Sequence, residues 1–101
     1  MPYIKQDIRE RLDPSIDALA KAVAAEVKEE KDLAGVLNYA MTRLVLAVVK
    51  ERFGRLRYWI VAAVTGAFTN ARDEFYRRAG SPYEDKKIAE EGDLPLYKEI
   101  A

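Results

Sequence analysis

The sequence predicts an all-α fold: a compact bundle of three main helices, at about 14–30, 33–53 and 56–79, with a short fourth helix at about 82–91. Three observations carry that reading. Apolar residues recur at three- and four-residue steps through each segment. Helix start and stop residues punctuate the segments, at Asp13-Pro14, Gly54, Gly80-Ser81-Pro82 and Gly92. Nowhere does apolar alternate with polar over the length of a strand. With no repeat and no low-complexity linker, residues 1–101 read as one helical domain.

Residues 1–12 read as an irregular arm, with Tyr3, Ile4, Ile8 and Leu12 available to tie it down. Asp13 at the N-cap and Pro14 at the first helical position then start a helix. Ile16, Leu19, Ala20, Val23 and Val27 give it one apolar stripe, and it runs out in the charged stretch 28–32. Asp32 is placed to cap the second helix. That helix has a wide apolar face (Leu33, Val36, Leu37, Ala40, Leu44, Val48), with Leu46 and Val49 on its other side, and Gly54 ends it. The third helix is apolar nearly all round in its first half and closes at Gly80. Ser81-x-x-Glu84 with Pro82 between them matches a capping box with Pro at N1, worth roughly 1–2 kcal/mol to the start of the fourth helix. The tail 93–101 carries Leu94, Leu96, Tyr97 and Ile100, which fits a segment packed on the bundle or on a neighbouring subunit.

Composition removes much chemistry. The chain has no cysteine and no histidine, so it lacks thiolate chemistry, imidazole general bases and the usual zinc and iron ligands. Any metal site must be built of oxygen ligands, which suits Mg²⁺, Mn²⁺ or Ca²⁺. The 17 basic and 17 acidic residues balance, so nothing draws the chain as a whole to nucleic acid or an anionic membrane. Arg52, Arg55 and Arg57, with Lys50 beside them, form one local basic patch in the link after the second helix. The expected setting is cytoplasmic. The scarcity of heat-labile side chains (Asn38, Asn70 and Gln6 only) points to a thermophilic host.

Two features bear on function. On the third helix Ala62, Ala63, Gly66 and Ala67 form a small-residue face that lets another helix approach closely. A helix apolar on all sides needs more partners than so short a chain supplies, so a homo-oligomer is expected, a two-fold dimer through that face. Second, an antiparallel arrangement of the second and third helices would gather polar residues at one bundle end. The residues are Asn38, Tyr39, Thr42, Arg43, Glu74, Arg78, Tyr83, Glu84 and Lys87. They form a candidate ligand site or a structural ion-pair network, and the mixture of acids with arginines favours the network.

The chain resembles a small family of uncharacterised proteins found in phages, prophages and environmental genomes. The resemblance rests on MPYIKQ (1–6), Asp13-Pro14, LNYAMTRL (37–44), EFYRR (74–78), PYEDKK (82–87) and Gly92-Asp93, and spans nearly the whole chain. Val36 departs from it, standing where Gly-Asp or Gly-Glu is expected, with Gly35 one place early. The resemblance implies one shared unit and a phage or mobile-element context, and implies no activity.

The function read from the sequence is that of a small homo-oligomeric helical interaction or structural protein, with no cofactor and no catalytic residue assigned. The alternative is a Mg²⁺-dependent all-α (MazG-like) nucleoside triphosphate pyrophosphohydrolase or a nucleotide-binding protein. Such enzymes hold their metal with paired carboxylates at i and i+3 on a helix. Glu26 with Glu29, and Glu90 with Asp93, have that spacing here.

Overall fold

A computed structural model describes residues 4–101, and every regular element among them is helical. In chain order these are α1 (Gln6–Glu26), a 3₁₀ turn (Glu30–Asp32), α2 (Leu33–Phe53), α3 (Tyr58–Phe75), a π-helical turn (Tyr76–Gly80), α4 (Ser81–Glu91) and α5 (Leu96–Ile100). The described chain divides into two compact units, residues 4–64 and 65–101, and α3 begins in the first and ends in the second.

In the first unit α1 starts at Gln6, not at residue 14, and Pro14 lies inside it. Asp13-Pro14 is a sound start signal that is overridden here. The preceding residues are good helix formers, with Asp7 in the first turn and one-turn pairs from Gln6 to Glu10 (3.4 Å) and Arg11 to Asp7 (3.3 Å). Against them Pro14 removes one backbone hydrogen bond. The expected arm is therefore helical from Gln6 onward, while Tyr3 lies outside the described residues. α1 also stops at Glu26, short of residue 30. Glu29 adopts an extended backbone (φ −130°, ψ 158°) and opens the 3₁₀ turn.

Asp32 precedes α2 as expected, but its carboxylate does not cap that helix. It turns back to accept the Glu29 backbone N–H at 3.1 Å, in a reciprocal pair with the Glu29 side chain. α2 ends where expected. Gly54 takes a left-handed φ of +81°, and its N–H bonds the carbonyls of Val49 and Lys50. Around this corner Trp59 packs edge-on against Phe53, with ring centroids 5.1 Å apart, and the Arg52 guanidinium lies 5.2 Å from the Phe53 ring. Val49 (6% exposed) and Ile60 (2%) are the buried hydrophobic side chains among the described residues. The apolar stripe of α1 is not covered in the same way: Ile16 and Leu19 remain exposed.

In the second unit α3 does not close at Gly80. Gly80 (φ −70°, ψ −52°) and Ser81 (φ −62°, ψ −47°) keep a helical backbone, and no side chain caps α4. The capping box read at Ser81-x-x-Glu84 does not form. The Ser81 N–H reaches back five residues to the Tyr76 carbonyl, which is the π turn. Pro82 gives the physical reason. In an uninterrupted α-helix its ring would strike the carbonyl four residues back and its missing N–H would leave that carbonyl unbonded. The wider turn just before it accommodates both. α4 ends as expected at Gly92, whose φ of +89° suits glycine. The tail then forms the single turn of α5, with Leu94, Leu96, Tyr97 and Ile100 exposed.

Candidate functional site

The first unit contains an open groove of about 390 Å³ between α1 and α2. Leu19 and Val23 of α1 face Val36, Ala40 and Leu44 of α2 across it. The lining is almost wholly apolar, although Glu26, Tyr39 and Arg43 also contribute. Those two charged residues therefore give the groove their aliphatic stems and hold their charges at its edge. Of the predicted polar cluster, Tyr39 and Arg43 thus belong to an apolar groove. Asn38 and Thr42, on the same helix, make no side-chain hydrogen bond among the described residues.

The predicted polar residues of the second unit contact one another along one run of helix. Glu74 is the most sheltered, its side chain 13% exposed, and it pairs with Arg78 at 3.0 Å and Arg77 at 3.6 Å. Lys87 lies 5.8 Å from the Tyr83 ring centroid and 3.7 Å from Glu90. The Tyr76 hydroxyl donates to Glu84 across the π turn. Its ring lies over Gly80, where an added Cβ would stand 2.6 Å from the nearest ring carbon. Tyr76 and Gly80 are the residues that the sequence reading missed. The signal was their spacing: Tyr76, Gly80 and Glu84 stand at successive four-residue steps, with the one residue that leaves room for a ring in the middle.

This segment has the chemistry of a self-contained polar ladder. Arg77, Arg78 and Lys87 each have an acid or an aromatic ring nearby, which leaves little free positive charge for a phosphate. Exposed one-turn pairs of this kind contribute about 0.3–0.5 kcal/mol each. The paired carboxylates of the enzyme alternative are not presented as the spacing suggested. Glu26 is the last residue of α1 while Glu29 lies beyond the helix in the turn. Glu90 is in α4, but Gly92 ends that helix before Asp93, whose carboxylate accepts the Leu94 N–H at 2.7 Å. Neither pair occupies one helix face. Among the described residues no three carboxylates gather as a metal-holding group.

A family model described as Domain of unknown function (DUF6899) matches residues 1–94. The chain belongs to that family. The match takes in every motif from the opening MPYI through PYEDKK to Gly92-Asp93, and both the groove and the polar ladder fall within it. The family description names no activity and carries no phage setting. No curated protein and no solved structure matches the chain.

Proposed function

We propose that this member of the family is a small homo-oligomeric helical protein that acts through protein contacts, pairing with itself as a two-fold dimer. The observation that supports the reading most is the exposure of its apolar side chains. Leu12, Ile16, Leu33, Leu44, Leu46, Trp59, Val61 and Phe68 are all exposed, while Val49 and Ile60 are buried. Fully covering one such side chain is worth about 1.5–3 kcal/mol. Fixing each backbone residue costs about 1–2 kcal/mol, so a chain that leaves this much apolar surface wet gains its missing stabilisation from a partner. On α3, Ala62, Ala63 and Ala67 are exposed, and a Cβ built on Gly66 would meet nothing within 4 Å. That face is open to the close helix approach expected of it.

α2 with its leading turn, Glu30–Phe53, also contains a stretch of 18 residues long and apolar enough to cross a membrane, with a mean hydropathy of 1.4 over that stretch. Arg43 favours a protein partner instead. It stands near the middle of that segment, where a charge in a bilayer costs about 2.5–3.5 kcal/mol.

The test is light scattering with a melting curve at several protein concentrations. A dimer mass and a Tm that rises with concentration are expected. Gly66→Leu should leave helicity intact, since the site is open and leucine is the better helix former, yet weaken pairing at least about tenfold. A monomer at all concentrations would end the reading. An unchanged dimer in Gly66→Leu would move the interface off the α3 face.

A further inference from the structure

We propose that the α1–α2 groove is a self-association seam, in which the groove of one copy takes the same hairpin of a second copy, with Glu26 of each paired to Arg43 of the other. The inference rests on the homo-oligomer reading and sets the groove against the α3 face as the seam of the dimer: the charge-swap variants below read the groove, and Gly66→Leu reads α3.

The first argument is charge complementarity. The groove is apolar along its length and carries one acid and one base at its edge, Glu26 and Arg43. Neither has an ion-pair partner among the described residues. In an isologous contact, residue i of one copy meets residue j of the other, and j meets i. One acid and one base are therefore a self-complementary set, satisfied twice by a second copy and by no further charge. The net charge of the chain is +0, so two copies approach without mutual repulsion.

The second argument is the position of Glu26. It is the last residue of α1, the end at which exposed carbonyls repel an acid, and no basic residue stands in that last turn. Lys28 is nearby but donates to the Ala25 carbonyl at 2.6 Å. A guanidinium brought by a partner would relieve that repulsion, and it would do so over apolar surface that excludes water. Two helical hairpins joined in this way make a four-helix arrangement with both apolar stripes inside.

The experiment is a charge swap with subunit mixing, read by light scattering on the full chain. Glu26→Arg alone and Arg43→Glu alone each place like charges opposite each other in a homodimer. Each should weaken pairing at least about tenfold while circular dichroism stays helical. Mixing the two single variants should restore it, because each mixed dimer holds two opposite-charge pairs. The double variant should also pair like the parent chain. If the single variants weaken association and mixing fails to restore it, the pair forms within one chain and the proposal is wrong. If neither single variant changes the oligomer, the groove is not a seam, although the homo-oligomer reading stands. A parent chain that is monomeric throughout ends both.

Discussion

The two units of the chain are organised by opposite means. In the first, α1 and α2 present an apolar groove, and the ion pair within α1, Arg11 with Asp7, lies far along the helix from it. In the second, a run of helix from α3 through α4 is tied together by local polar contacts: Glu74 to Arg78, Tyr76 to Glu84, Lys87 to Glu90. Contacts of the second kind are satisfied inside one segment and ask nothing of a neighbour. Apolar surface of the first kind is unsatisfied until something covers it. The difference teaches where to look for function. A polar cluster draws attention in a sequence, but its members in the second unit answer one another, Glu74 with Arg78 and Lys87 with Tyr83, whereas the groove is the part left incomplete.

The largest test of that contrast is Val23→Glu. The groove is open, so the new carboxylate stays hydrated in a lone chain and helicity should persist. In a closed seam it would be buried without a partner, at a cost on the order of 3 kcal/mol or more. Light scattering should then show association weakened at least a hundredfold; an unchanged mass would mean that the groove stays wet and the contrast fails.

Next in size is a change of sign at Gly80. Gly80→Ala drives a methyl into the Tyr76 ring and should lower stability by about 1–3 kcal/mol. In a Tyr76→Ala background the same change should raise stability by up to about 1 kcal/mol, the ordinary helical gain of alanine over glycine. Urea unfolding at fixed protein concentration measures both, and equal effects in the two backgrounds would show that the ring does not define the site.

Pro82→Ala should be worth about 1 kcal/mol in the stabilising direction, since the new residue can donate its N–H to the helix. Hydrogen exchange checks the cause, because the new amide at position 82 should be protected. Smallest is Glu74→Gln, with an expected loss of about 0.5–1 kcal/mol. Any larger loss would make the second unit depend on that carboxylate more than a local ladder does.

Much of the fold was legible because its signals were unopposed. The end of α2 at Gly54 and the end of α4 at Gly92 both use a backbone conformation that glycine adopts freely, with no rival pattern nearby. Asp13-Pro14 misled because a valid cap lost to stronger local helix formation over residues 7–12, a competition that a motif cannot reveal. Gly80-Ser81-Pro82 misled for another reason. Proline after serine fits both a new helix start and a helix that widens by one residue, and only the backbone distinguishes them. Of the site, the pairing of Glu74 with Arg78 followed from one-turn spacing. The contact of Tyr76 with Glu84 did not, because it spans two turns and depends on the widened turn between them. The groove was half visible: Leu19 and Val23 of one expected stripe and Val36, Ala40 and Leu44 of the other line it, while Val27 falls beyond the end of α1, and periodicity shows which face is apolar and not whether anything covers it.

The π turn at Tyr76–Gly80 has a consequence for phase. It is in effect a single inserted residue that the helix absorbed without breaking. Each residue advances an α-helix by about 100°, so the residues after the wider turn stand about 100° out of step with the count carried on from the residues before it. Glu74 and Arg78 therefore follow one angular count and Tyr83, Glu84 and Lys87 another. Removing Ala79 would set both stretches to a common count and leave Tyr76 and Glu84 seven residues apart, about two α-helical turns, and so still on one face. The wider turn takes up one residue of chain length, so α4 keeps the face it presents although the residue count along it has shifted by one.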